Sequence, residues 1–179
     1  MTAEAAIPDG SALCVGCGLC CNGTLYDRVS VTPEEQVRLT QLGFSFVGFE
    51  TDTVFELPCH KEVCGSCTIY EARPATCADF RCGLLQKYQA GHLSLEEGKA
   101  KQDKARELIA AVVADNPAAA RNGPRHKVRS RLAAVMQNGD GEARRAVSRQ
   151  FLNIVALDTF LERWFRAKDQ RASIVQTPE

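Results

Sequence analysis

The 179-residue chain is 45% hydrophobic and 25% charged, with 22 Lys and Arg set against 22 Asp and Glu, the composition of a single ordinary globular domain. Zero formal net charge argues against a protein built mainly to neutralise nucleic-acid phosphate, and no apolar run approaches the ~18 residues needed to cross a membrane. What this composition leaves unexplained is nine cysteines, all between Cys14 and Cys82, with none in the rest of the chain.

A disulfide scaffold accounts for them poorly. Met1 to Gly10 has neither the basic start nor the apolar core of ~7–15 residues that export uses, so a cytoplasmic protein is expected. The cysteine fraction is below the ~8–10% of disulfide-dense chains, and nine thiols would leave one unpaired.

In chain order, residues 1–12 are expected to be a frayed lead-in. Cys14-Val-Gly-Cys17-Gly-Leu-Cys20-Cys21 then places three thiols at successive two-residue gaps, with a fourth directly adjacent. Such a gap lets a tight turn aim two sulfurs at one ion, and Gly16 and Gly18 allow close backbone approach and positive φ. Cys20 and Cys21 point in different directions, which suits two separate sites better than one shared tetrahedral ion. Tyr26 to Val31 predicts a short strand. Thr32-Pro33-Glu34-Glu35 supplies an N-cap, a first-turn proline and a capping-box glutamate, so a helix is expected to about Leu42, ended by Gly43. Residues 44–57 alternate loosely and predict one or two strands feeding Cys59 in a small hairpin.

The second cysteine segment reads Cys59-His60-Lys61-Glu62-Val63-Cys64-Gly65-Ser66-Cys67-Thr68-Ile69-Tyr70-Glu71-Ala72-Arg73-Pro74-Ala75-Thr76-Cys77-Ala78-Asp79-Phe80-Arg81-Cys82. With the opening CxxCxxCC, its C-x-I-Y-x-x-R-P-x-x-C-x-x-F-x-C pattern resembles the zinc- or iron-chelating CxxCxxCC family, also called YkgJ-like cysteine-cluster proteins, over residues 14–82. The resemblance implies eight metal ligands: Cys14, Cys17, Cys20 and Cys21, with Cys59, Cys67, Cys77 and Cys82. Cys64 is an addition to the family pattern. It reads as an alternate ligand, a reactive thiol or a small buried residue, the last being preferred. Tyr70 and Arg73 belong to the family segment and suit positions around the cofactor, where the guanidinium can offset the −2 charge of a tetrathiolate zinc site and donate to sulfur. Pro74 would stiffen the turn that delivers Cys77. The nearby His60 is expected to be exposed or bound to backbone rather than to metal.

The resemblance leaves the metal open. Eight thiolates divide into two tetrahedra, the arrangement of closed structural zinc sites. Three cysteines at two-residue gaps also begin the ferredoxin loop of a four-iron cluster, although the adjacent fourth cysteine departs from that pattern. Some larger family members are flagellin lysine methylases described as iron–sulfur dependent, so an iron–sulfur centre serving redox or methyl transfer is the alternative.

Beyond Ser94 the pattern turns helical. Ser94-Leu95-Glu96-Glu97 is a second capping box, and Ala105, Leu108, Ile109 and Val112 follow helical spacing, predicting a helix to about Ala114. Asn116-Pro117 ends it, and residues 118–131 read as a basic loop entering a further helix that carries Val128, Leu132 and Val135 and stops near Gln137. A last helix is expected over about Glu142 to Lys168, with Val147, Phe151, Ile154, Leu161 and Phe165 on one face and Phe160 and Trp164 in the same core. His92 and His126 read as surface residues.

The expectation is therefore an α+β single domain over residues 1–179. A cysteine-rich module with short strands (14–82) packs against a helical support (94–168) that buries apolar surface at ~25 cal/mol per Å². Its expected partners are metal ions and a protein partner, without a membrane. A nucleic-acid role would require a basic face formed by Arg121, Arg125, Lys127, Arg129, Arg144 and Arg145, and the balanced charge gives it no footprint. No P-loop, dinucleotide fingerprint, Ser-His-Asp pattern or HExxH is present, so the sequence leaves enzymatic activity undecided.

Overall fold

A computed structural model describes residues 10–115 and 125–166, with backbone alone for 125–130. The polypeptide begins with one helical turn, α1 (Ser11–Cys14). Part of the expected lead-in is therefore ordered, because Leu13 is 1% exposed and anchors the turn in the core. Strand β1 (Arg28–Val31) follows, and then α2 (Pro33–Gln41), whose capping box forms as expected. The Thr32 hydroxyl accepts from the Glu35 amide at 3.2 Å, while the Glu35 carboxylate accepts from the Thr32 amide at 3.0 Å.

Strands β2 (Val47–Phe49) and β3 (Asp52–Glu56) make the predicted hairpin. β3 lies in the middle of a three-stranded antiparallel sheet ordered β1-β3-β2, with Val29 opposite Phe55. Alternation along β1 and β3 sends Val29 and Phe55 into a small core with Leu39, Phe44 and Leu57. A second hairpin, β4 (Glu62–Val63) and β5 (Ser66–Cys67), carries the middle cysteines. A 3-10 turn (Tyr70–Ala72), α3 (Ala75–Asp79) and α4 (Gly83–Gln89) complete the cysteine-bearing half.

The remaining helices are α5 (Leu95–Asp115), α6 (Arg125–Asn138) and α7 (Gly141–Trp164). α5 opens on the second capping box, with Glu97 N–H donating to Ser94 Oγ at 3.1 Å. α6 begins within the segment read as a loop, and the remainder of that loop lies outside the described residues. α7 is shorter than expected: Phe165 is its C-cap, and Lys168 lies outside the described residues. α7 packs against both α5 and α6. At its end the Phe165 carbonyl accepts from Gly83 N–H at 2.8 Å, joining the last helix to the start of α4 directly after Cys82. Lys87 Nζ donates to the Arg163 carbonyl at 2.8 Å and stands over the Trp164 ring, as does Lys101.

The larger core is common to both halves. Leu13, Leu19 and Leu25 from the opening cysteine segment are buried with Leu84, Val112, Ile154, Leu161 and Phe165. The fold is α+β, as the sequence indicated, and no described helix is long and apolar enough to cross a membrane.

Candidate metal centre

The opening cysteine loop has almost no regular structure, so glycine geometry shapes it. Gly16 and Gly18 have φ of 79° and 65°, as the sequence anticipated for a metal-wrapping turn. The loop is held from outside by the tip of the β4–β5 hairpin, a two-residue turn of Cys64 and Gly65 with φ of 50° and 80°. Positive φ at both positions is the type I′ geometry that matches strand twist. Gly65 lies against the Gly16 backbone so closely that a Cβ would come within 2.5 Å of the Gly16 carbonyl carbon. Cys64 itself is exposed, contrary to the preferred reading of a small buried residue: the hairpin tip presses its glycine, and not its cysteine, onto the loop.

The second segment is tied down from three directions. Cys59 N–H donates to the Cys21 carbonyl at 2.8 Å. The Glu35 carboxylate, already capping α2, also accepts from Ala75 N–H at 2.7 Å at the start of α3. Thr76 Oγ1 donates to the Ser30 carbonyl at 2.8 Å. Pro74, with φ of −65° and extended ψ, is the N-cap of α3, and its carbonyl accepts from Cys77 N–H at 3.0 Å. The proline thus delivers Cys77 as expected.

All nine cysteines are free thiols. Cys17, Cys20 and Cys82 pack against the larger, helical core, whereas Cys59 and Cys77 pack against the sheet core. Their electrostatic influence on one another follows the same division except at Cys20, which acts on thiols of both groups. Burial pushes the Cys82 thiol up to about 12, and Cys14, Cys17 and Cys20 add to the rise. Burial pushes Cys77 up to about 12 as well, with Cys20, Cys59 and Cys67 adding to it and Arg73 opposing it. Cys17 is raised to about 11, again chiefly by burial, against an opposing pull from Arg106. The two neighbourhoods meet at Cys20 and Cys21, whose sulfurs lie 3.8 Å apart. Their hydrogen bond draws Cys20 down and pushes Cys21 up.

Among the described residues, no three His, Cys, Asp or Glu side chains stand in ready-made metal-ligating geometry. The donor set nevertheless fits a thiophilic ion: seven partly buried cysteines and the exposed Cys14 in two adjoining groups, with a cation nearby. Arg73 favours the thiolate at both Cys20 and Cys77, and its guanidinium lies 3.8 Å from the Tyr70 ring centroid. Tyr70 is 54% exposed, so its ring supports the arginine from the solvent side. His60 is exposed and packs beside Phe44, with ring centroids 4.5 Å apart.

Sequence reading missed Tyr26, which it assigned only to a strand. The ring sits in an edge-on pair with Phe80 at 5.0 Å. Burial raises its hydroxyl pKa, and Cys20, Cys77, Cys21 and Cys82 contribute, placing it between the two thiol groups. It packs against both cores. Of the basic face that a nucleic-acid role would require, Arg144 donates to the Gln137 carbonyl, while Arg121 and the side chains of Arg125, Lys127 and Arg129 lie outside the described residues.

Grouped thiols of this kind define a cysteine-cluster metal chelator. The sequence model of the CxxCxxCC family, described as a "putative zinc- or iron-chelating domain", matches residues 13–106, just over half of the chain. The chain belongs to that family. No curated protein and no solved structure matches it.

Proposed function

We propose that this protein holds zinc or iron in two adjoining four-sulfur sites within one folded domain. One site comprises Cys14, Cys17, Cys20 and Cys82, and the other Cys21, Cys59, Cys67 and Cys77. The supporting observation is that Cys17, Cys20 and Cys82 pack against the helical core and Cys59 and Cys77 against the sheet core, with Cys14 acting on Cys82 and Cys67 on Cys77 and the consecutive Cys20 and Cys21 standing between the groups. Adjacent residues with divergent side chains can serve both groups at once, and rotation about the cysteine χ1 torsion is the motion available to close each group on an ion.

When bound, the metal would supply cross-linking of the chain and thiolate stabilisation. The residues do the rest. The first group would fasten the opening loop to the start of α4 and so to the helical core, and the second would fasten the strands to α3. Arg73 would offset the negative charge where the groups meet, and Tyr26 and the apolar cores would exclude water.

The test is elemental analysis of anaerobically purified protein, with acid-labile sulfide measured alongside. Two metal sites per chain are expected, and Cys20→Ser and Cys21→Ser should each disable a different one. Loss of the same single metal in both variants would refute the division. Sulfide would show that the iron is held as an iron–sulfur centre.

A further inference from the structure

Two polar side chains of α5 reach across to the opening cysteine loop, and neither belongs to the cysteine motif. Gln102, only 5% exposed, donates Nε2 to the Leu13 carbonyl at 2.6 Å. One turn further on, Arg106 donates Nη2 to the Gly16 carbonyl at 2.6 Å, while its Nη1 pairs with Asp103 at 2.7 Å. One turn earlier, Gly98 makes room for the loop: a Cβ there would lie 2.7 Å from Leu13 Cδ1. Positions 98, 102 and 106 recur every four residues, so they form one line along the helix.

The gripped peptides immediately precede Cys14 and Cys17. Within the loop the Cys14 carbonyl accepts from Cys17 N–H and the Gly18 carbonyl from Cys21 N–H, whereas the Leu13 and Gly16 carbonyls accept from side chains of α5. A buried amide and an always-charged guanidinium are suited to this task.

We propose that Gln102 and Arg106 are positioning residues for the site of Cys14, Cys17, Cys20 and Cys82. Gln102 fixes the backbone at Cys14, and Arg106 fixes the peptide before Cys17. The inference rests on the two-site reading, and it makes the helical half part of the metal centre. Outer partners of this kind typically change metal affinity by about 10–100-fold.

The test uses the full chain, reduced and titrated with zinc against a chromophoric chelator. Wild type should take two ions; if it takes fewer, the two-site reading falls first and this inference with it, before any α5 variant is made. Given two ions, Arg106→Gln should weaken one site about tenfold and leave the other unchanged, and Arg106→Lys should recover much of the loss. Gln102→Leu should weaken the same site. In a Cys77→Ser background, which retains the first site, the Arg106→Gln effect should persist. In a Cys82→Ser background, which retains the second, it should vanish, whereas a merely structural arginine would disturb both. Should either cysteine variant fail to fold, chelator-driven zinc release from the otherwise wild-type chain supplies the same comparison, with only one of two release phases accelerated by Arg106→Gln. Equal weakening of both sites, or of neither, would overturn the proposal.

Discussion

Replacing Gly65 by alanine adds one methyl group at the point where the β4–β5 hairpin touches the metal loop. The backbone there has φ of 80°, and an L side chain in the left-handed region costs roughly 1–2 kcal/mol. The new Cβ would also lie 2.5 Å from the Gly16 carbonyl carbon and 2.8 Å from its Cα. Those atoms are backbone and cannot rotate away, so overlap adds about 1–3 kcal/mol. Gly16→Ala provides the internal control. Its φ of 79° is nearly the same, but a Cβ there meets nothing within 4 Å, leaving only the backbone cost of roughly 1–2 kcal/mol. For a chain of this size each kcal/mol moves Tm by about 2–4 °C. Thermal unfolding of both variants at one fixed free-metal concentration should therefore place Gly65→Ala several degrees below Gly16→Ala, with faster metal release from the first site. Equal Tm values would show that the hairpin does not buttress the loop.

Metal-free and metal-loaded protein should respond to pH in opposite directions. Burial holds Cys17 at about 11 and Cys77 and Cys82 at about 12, against an ordinary 9.0, so the folded chain favours neutral thiols. That contribution is intact below pH 9 and is lost as pH climbs through 11–12; reduced, chelated protein should lose thermal stability over this window, and a flat profile from pH 8 to 12 would contradict the burial argument. Metal-loaded protein already carries thiolates, so its weakness should be in acid, where protons compete with the metal, as titration of bound metal against pH would record. Leu13→Ala should destabilise by about 2–5 kcal/mol in denaturant unfolding, because this 1% exposed side chain packs against Gly98 and seats the cysteine loop. A loss under 1 kcal/mol would mean that the loop is held by its hydrogen bonds and metal alone.

Much of the fold was legible because its signals are local. Thr32 with Glu35 and Ser94 with Glu97 announce helix starts through hydrogen bonds spanning three residues, and both boxes form. Gly43 stops α2, and the hairpin of β2 and β3 follows from alternation in residues 44–57. The cysteine spacing revealed a thiophilic module and its family, since ligand gaps are set by the reach of a turn. The divergent side chains of the neighbouring Cys20 and Cys21 led to the expectation of separate sites, which the proposed division adopts.

Long-range partners were not legible. Nothing local states that Cys82 packs against the same core as Cys17 and Cys20, or Cys77 against the same core as Cys59, because that depends on which core each segment enters. Tyr26 looked like an ordinary strand residue, yet its ring packs against both cores. Gln102 and Arg106 looked like ordinary polar positions on a long helix, yet their hydrogen-bond partners lie 89 and 90 residues away along the chain. The sequence by itself determined what the module can bind, since thiolate chemistry and spacing are properties of the residues. Only the tertiary structure decided which core Cys17, Cys20, Cys82, Cys59 and Cys77 pack against and what holds the loop in place, because both arise from packing between segments that carry no mutual signal along the chain.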